Sequence, residues 1–527
     1  MRVQAALPAR AGTPLLERTV GGQLRVQAAR FADRPALMWA PDNDSPGSPN
    51  IEVLTYHELL IAAEALAVTI THHAQPGDRV AVWAANRPEW VIVEFASALA
   101  GTVLTPFNPA WTDSELEHAM RLTAPRLLFA GTDTRGIDLV ARAHRFADNL
   151  GACVATALTA VPIRPKPVSF EVPRLLPESP FVILFTSGTT GRPKGATLSH
   201  RAALNAGYIR ALSVHADETD VWFNPVPLHH MSGSVVIVLS ALSTGGCYVV
   251  LNRFMPASQL GMMRATGATR IGGVPTMFHA LLEIEGVGEA LGKVKSVGLG
   301  GSLVPPELVE RLQRYGASVS VAYAQTECPM VTQSDPTGDA HHVATTVGIP
   351  VPHTEIRVVG ADGSVVERGD VGELCVRSPL TMLGYWDMPA ASAEAFDPEQ
   401  FLHTGDLASI DHNGVVRIHG RARELIIRGG ENIYPVEVEQ VLQRHPAVDA
   451  VAVVGTPHDR WGQQVAAVVK LVAPGAATIE DLQDCVRQNL AYFKVPEHWR
   501  LVEQMPMTAS GKVRKGELPQ LFFETSE

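Results

Sequence analysis

The chain is 527 residues long, 46% hydrophobic and 18% charged, an ordinary soluble globular composition too long for one core, so two or more domains are expected. A formal charge of −11 leaves no general basic face and argues against nucleic acid or an anionic membrane as partner, while permitting small anionic ligands at a local positive site. Cys153, Cys247, Cys328, Cys375 and Cys485 are odd in number, far apart and without metal-type spacing, which points to a reduced, cytoplasmic protein without a structural zinc site.

The N-terminal MRVQAALPARAGTPLLERTV has no long apolar stretch, so no signal peptide is expected and the first dozen residues are read as frayed. From residue 79 the pattern alternates. RVAVW (79–83) suits a buried strand, PEWVIVEFASALA (88–100) an amphipathic helix opened by Pro88, TVLTP (102–106) a strand, 113–122 a polar helix and RLLFAG (126–131) a strand. Such units imply α/β subdomains with parallel sheet, continuing to about residue 350. The apolar VVIVLSALS at 235–243 is far too short to span a membrane.

Between 355 and 420 short strands and turns take over, with Asp362-Gly363 and Asn413-Gly414 as turn signals, and a β-rich subdomain is expected. After Gly420 a compact α+β pattern follows: helix at 435–446, strands at 449–455 and 464–472, helix at 479–491. The division expected is therefore 1–420, a large domain of several subdomains, and 421–527, a small C-terminal domain.

Residues 186–200, TSGTTGRPKGATLSH, follow the apolar strand FVILF (181–185) and precede a helix that Ser199 can cap. They read as a strand–loop–helix connection at the carboxyl end of a strand, where α/β proteins bind ligands. Gly188, Gly191 and Gly195 let backbone N–H groups approach an anion, Thr186, Ser187, Thr189 and Thr190 add hydroxyls, and Lys194 adds charge, which together describe a phosphate cradle. No GK[ST] triplet follows at Walker A spacing.

This string resembles the signature loop of the adenylate-forming superfamily, which includes acyl- and aryl-CoA ligases, luciferases and peptide-synthetase adenylation domains. Further motifs match in order from about residue 20 to 515, most nearly in the manner of the CoA ligases. PLHHMSG (227–233) puts His230 in the family's histidine place, between the carboxylate and nucleotide sites. In AYAQTEC (322–328) the resemblance implies that Tyr323 stacks on adenine, Thr326 reaches the α-phosphate and Glu327 holds Mg²⁺, with Ala324 replacing the usual glycine. HTGD (403–406) and Gly420-Arg421 match the ribose pair, Asp406 and Arg421, and Gly301 joins the nucleotide set. RARELIIRGGENIYPVEVE (421–439) resembles the hinge, at Arg423 where relatives carry Asp or Lys, followed by a CoA loop with Arg428, Gly429 and Gly430. PMTASGKVRK (506–515) matches the catalytic-lysine motif, with Lys512 in that role.

The implied activity is a two-step ligase using ATP, Mg²⁺ and coenzyme A. A carboxylate attacks the α-phosphorus of ATP, pyrophosphate leaves, and a thiol then attacks the acyl-adenylate. Thr186, His230, Glu327 and Lys512 form the catalytic set. No acidic residue occurs from Val221 to Val236, which disfavours an α-amino acid, and small residues at the implied acyl wall, Gly272, Gly300, Ala322 and Ala324, favour a medium or long acyl chain or a bulky cyclic or aryl acid. The glycines serve backbone packing on an equally weighted reading. A stand-alone ligase loading a separate acyl carrier protein is the alternative, a nucleotide sensor would be expected to lack Lys512 or Glu327, and a homodimer is one option for an oligomeric state the sequence does not fix.

Overall fold

The computed structural model describes residues 3–41, 49–151, 153–186, 193–301, 304–428, 431–458, 460–507 and 513–522. Its architecture is the mixed α/β arrangement expected, with two large mostly parallel sheets, a β-rich subdomain and a smaller α+β unit at the C-terminal end.

The first large sheet has seven strands, in the order Gly384–Tyr385, Lys194–Ser199, Pro180–Thr186, Val103–Phe107, Arg79–Trp83, Leu127–Ala130 and Val154–Ala157. Its parallel centre is covered by Pro88–Ala100, a helix buried along its whole length, with Pro88 in its first turn and Gly101 at φ 75° closing it. The helix is therefore not the amphipathic one expected: it is buried on every side, Glu89 and Glu94 included, and shows no solvent-facing polar stripe. The second sheet has nine strands and holds Val221–Phe223, Arg270–Gly273, Ser296–Leu299 and Ser318–Gln325 in parallel register. At its far end Ser318–Gln325 turns back into Cys328–Gln333, antiparallel.

Two sequence expectations are corrected here. The 186–200 stretch is not a strand–loop–helix connection: after the loop the chain returns as the strand Lys194–Ser199, antiparallel to Pro180–Thr186, with Thr186 opposite Lys194. Only then does the helix His200–Ser213 begin, with Ser199 Oγ accepting from the Ala202 amide at 3.1 Å. Gly195 is needed in the hairpin, since a Cβ there would lie 2.7 Å from Ile183 Cγ2. Nor is the described N-terminal stretch from Val3 frayed. Ala6–Leu7 pairs with Glu355–Val359, and Ala5 is fully buried beneath it, because the β-rich sheet offers an open edge.

That β-rich sheet orders Ala6–Leu7, Glu355–Val359, Gly372–Arg377, Leu402–Ile410 and Val416–Arg421, all antiparallel. Past Arg421 a one-turn 3₁₀ helix, Ala422–Glu424, leads into a further sheet built from Ile426–Arg428, Glu431–Ile433, Val448–His458, Gly462–Leu471 and His498–Leu501. Its own apolar cluster includes Ile426, Ile433, Val438, Leu442, Val453, Val465, Leu482 and Val486. Among the described residues no helix is long and apolar enough to cross a membrane.

Candidate nucleotide and acyl site

The carboxyl ends of the parallel strands and the β-rich sheet bring together most of the described motif residues. Asp406 and Arg421 are direct partners on neighbouring antiparallel strands, and Arg421 Nε lies 2.8 Å from Asp406 Oδ1. Gly405, at φ 69°, takes a left-handed conformation inside the strand just before Asp406. Asp406 is buried at 4% exposure, and its other oxygen accepts from the Tyr323 hydroxyl at 2.5 Å and from Gln325 Nε2 at 2.6 Å. Burial raises the Asp406 carboxyl above its ordinary value against the opposing pull of Arg421. The Tyr323 hydroxyl is pushed well up, by burial first and then by Asp406, so it remains a donor. Three donors thus already address Asp406, and any further hydroxyl donor there must share or replace them.

Thr326 and Glu327 sit on the tight connection between Ser318–Gln325 and Cys328–Gln333. This Thr-Glu pair marks a β-turn and not the helix start such a pair usually signals. Glu327 Oε1 accepts from the Tyr385 hydroxyl at 2.8 Å, and the Glu327 carbonyl accepts from the Met382 amide at 2.8 Å. Tyr385 lies on the edge strand that pairs with Lys194–Ser199, and Lys194 Nζ stands 5.0 Å from the centre of its ring. Lys194, Tyr385 and Glu327 therefore form one continuous chain of contacts. Burial, with Glu327 beside it, raises the Tyr385 hydroxyl, keeping it protonated.

Neither Tyr385 nor Gln325 was marked in the sequence reading. Gln325 lies inside the AYAQTEC motif but has no charge to flag it. Tyr385 belongs to a GYW string whose aromatic residues look like packing, and only the edge-strand pairing discloses its second role.

Thr186 ends its strand opposite Lys194, and His118 Nε2 lies 3.0 Å from the carbonyl of Pro193, the residue before Lys194. His230 lies just before the π-helical turn Ser232–Val238, with Nδ1 2.7 Å from Ser232 Oγ; such turns recur at functional sites. On the implied acyl wall, a Cβ at Gly272 would meet Asn224 Nδ2 at 2.9 Å and the Gly298 carbonyl at 3.3 Å, so this glycine is needed for close packing between strands. A Cβ at Gly300 would meet the Ala322 carbonyl at 3.1 Å. Ala322 and Ala324 are half-buried on the same strand as Tyr323, and Gly301 has φ 82°.

In the C-terminal unit Arg423 is exposed on its 3₁₀ turn. The Arg428 guanidinium is tied within the unit, to Glu497 and to the Phe493 carbonyl. Ser187, Gly188, Thr189, Thr190, Gly191, Gly429, Gly430 and Lys512 lie outside the described residues. Near Lys512 in sequence, Lys515 Nζ reaches Glu439 at 2.7 Å and Glu424 at 3.2 Å.

The donor set fits Mg²⁺ carried by a nucleotide. A hard cation that keeps several waters needs one or two protein carboxylates beside phosphate oxygens, and Glu327 offers such a carboxylate, joined to Lys194 through Tyr385.

Residues 24–386 match the family described as AMP-binding enzyme, and residues 437–512 match its C-terminal domain. The chain is 30% identical to the mitochondrial medium-chain acyl-CoA ligase ACSF2 of Macaca fascicularis, over 96% of this chain and 87% of that one. It is 33% identical to feruloyl-CoA synthase of Amycolatopsis sp, over 89% and 94% respectively. Among solved structures, ATP-bound MatB from Rhodopseudomonas palustris superimposes with a TM-score of 0.86 at 28% identity, over 96% of this chain and 99% of that one. Motifs, fold and comparisons agree: the chain belongs to the AMP-binding enzyme family, within the adenylate-forming superfamily whose members include acyl-CoA ligases.

Proposed function

We propose that the chain is an AMP-forming acid–CoA ligase acting on an apolar carboxylic acid, of medium or long acyl type or a bulky cyclic or aryl type. The observation that carries this reading is the joining of Lys194, Tyr385 and Glu327, together with the pairing of the buried Asp406 with the exposed Arg421. One group suits the phosphates of a nucleotide and the other its sugar. In the first half-reaction the carboxylate oxygen bonds to the α-phosphorus and the bond to pyrophosphate breaks. In the second, the thiol sulfur bonds to the acyl carbon, AMP leaves with the bonding pair, and the thiol proton passes to solvent. Bound at Glu327, Mg²⁺ supplies charge neutralisation at the phosphates. Positioning and charge account for most of the protein's share in such transfers. Lys194 and Thr186 orient the pyrophosphate, Asp406 and Arg421 hold the ribose, Tyr323 lies along the adenine, and Thr326 meets the α-phosphate.

His230 stands between the carboxylate and the nucleotide, and Lys512 neutralises the acyl and phosphate oxygens during adenylation. The unit 421–527 turns about Arg423 between the two steps, and Arg428 with Gly429 and Gly430 lines the CoA path. The small wall at Gly300 and Ala322, with no acidic residue from Val221 to Val236, supports an apolar acid over an amino acid. The relatives named for medium-chain and feruloyl substrates are consistent with that class.

A pyrophosphate-release screen over a panel of acids, with and without CoA, tests the reading. Release that peaks with an apolar acid, and thioester formation that needs CoA, are expected. A profile peaking at acetate or an amino acid overturns the substrate class. Product that forms on a carrier protein and not on CoA overturns the acceptor.

A further inference from the structure

Cys375 stands out among the cysteines because strand pairing brings it against two other metal-ligating side chains. It lies directly opposite His403 on the neighbouring antiparallel strand, and Glu373 precedes it by two residues. Cys375 Sγ is 3.6 Å from His403 Nδ1, and His403 Nδ1 is 2.8 Å from Glu373 Oε2. The three ligand atoms all fall within 4.8 Å of one another. We propose that Glu373, Cys375 and His403 form a binding site for a borderline-soft divalent cation of the zinc class, set on the strand that carries Asp406.

The geometry suits that ion. Zinc bonds of about 2.3 Å to sulfur and about 2.0 Å to nitrogen, at a tetrahedral angle, place the two donors about 3.5 Å apart. The observed sulfur–nitrogen separation already matches, and the histidine and glutamate need only part from hydrogen-bond distance. Thiolate, imidazole and carboxylate are a zinc-type set and a poor magnesium set. The sulfur is fully buried, whereas the His403 and Glu373 side chains are 35% and 28% exposed, so an ion enters from their side and keeps a fourth position for water.

Charge also balances: a thiolate and a carboxylate offset the dication, and nearby Arg357 is already paired with Asp397 and Glu399. Burial pushes the empty site's thiol up to about 12, so binding must expel the thiol proton to solvent as the metal–sulfur bond forms. Glu373 Oε1 also accepts from the Gly405 amide at 2.9 Å, and the ion therefore sits one hydrogen bond from the residue before Asp406.

The test is a Co²⁺ titration of the metal-stripped full chain in a non-thiol reductant, followed by zinc displacement. Expected is one equivalent of Co²⁺ per chain with a thiolate-to-cobalt charge-transfer band, displaced by one equivalent of Zn²⁺. Cys375→Ser should abolish the band, and His403→Gln should weaken binding roughly tenfold or more, the scale of losses around metal sites. Cys485→Ser and Cys153→Ser should leave both unchanged. Absence of the band in the parent, or its survival in Cys375→Ser, overturns the site. Should Cys375→Ser fail to fold, unaltered cobalt affinity in His403→Gln overturns it equally.

Discussion

The Tyr385 hydroxyl donates to Glu327 at 2.8 Å while the same ring supports Lys194 at 5.0 Å. One side chain thereby aligns a carboxylate and a cation from two different sheets.

Tyr385→Phe keeps the ring under Lys194 and removes only the hydroxyl. A hydrogen bond to a charged group contributes about 1.5–3 kcal/mol. The Mg²⁺ concentration for half-maximal adenylation should rise roughly tenfold, about 1.4 kcal/mol, with kcat at saturating Mg²⁺ little changed. Mn²⁺ binding to the enzyme–ATP complex, followed by electron paramagnetic resonance, should weaken in parallel. Unshifted Mn²⁺ affinity in Tyr385→Phe, alongside a shift in Glu327→Gln, would remove Tyr385 from the site while leaving Glu327 in it.

Lys512→Ala should lose adenylation by about 3–4 kcal/mol of barrier, by analogy with deleted oxyanion-hole donors. Thioester formation from supplied acyl-adenylate should continue. Arg423→Pro, which fixes φ and removes an N–H on the 3₁₀ turn, should retain one half-reaction and lose most of the other. Stopped-flow measurement of each half-reaction separates the cases; equal losses in Lys512→Ala, or two normal rates in Arg423→Pro, would contradict the division of labour.

Lys515 is a stability site. Its ammonium joins Glu424, next to Arg423, with Glu439, whose carboxylate also accepts from the Val453 amide at 2.7 Å. These carboxylates outweigh burial and raise its pKa. Lys515→Met leaves the 6%-exposed Glu439 carboxylate without its cation, and breaking a buried pair costs about 3–5 kcal/mol, less here because Glu424 is partly solvated. Chemical denaturation should show the C-terminal transition moving to lower denaturant, and an unmoved midpoint would show that the pair is fully compensated by water.

His200 governs part of the acid response. It is fully buried against Phe181, and burial lowers its pKa to about 4 from an ordinary 6.5. The unfolded chain therefore binds a proton here below about pH 6.5 that the folded chain refuses, so stability falls as the pH drops from there toward 4. Between pH 7 and 5 the loss from this residue should approach about 2 kcal/mol. Denaturation midpoints at both pH values, compared with His200→Phe, measure it; an identical slope in the variant would assign the acid sensitivity elsewhere.

Regular elements were largely legible because burial leaves a plain trace. Pro88–Ala100 and Arg79–Trp83 occur where apolar continuity and Pro88 place them. Lys194–Ser199 was hidden because KGATLS is short, polar at its start and continuous with the loop, and its strand character comes from pairing on both sides. The motif residues were found by resemblance, whereas Tyr385, Gln325 and the 373–375–403 cluster arise from cross-strand neighbours, which no local pattern encodes. Gly272 illustrates the converse. A glycine in an expected wall position is held there by Asn224 and the neighbouring strand, and Gly300 is restricted likewise by the Ala322 carbonyl, so both glycines serve backbone packing.

Arg421 holds Asp406 from the last residue of its strand, and the 3₁₀ turn begins at the next residue. In the proposed mechanism a twist of the backbone at 422–424 would be transmitted through one covalent step to Arg421 and its hold on Asp406. Were Asp406 and Arg421 to hold the ribose as proposed, nucleotide residence time and rotation of the C-terminal unit would be geared to each other, and the swing that admits the thiol would also loosen the grip on AMP. Lengthening that connection by a glycine or two should uncouple them, leaving a slow-releasing enzyme whose turnover is limited by AMP departure rather than by chemistry.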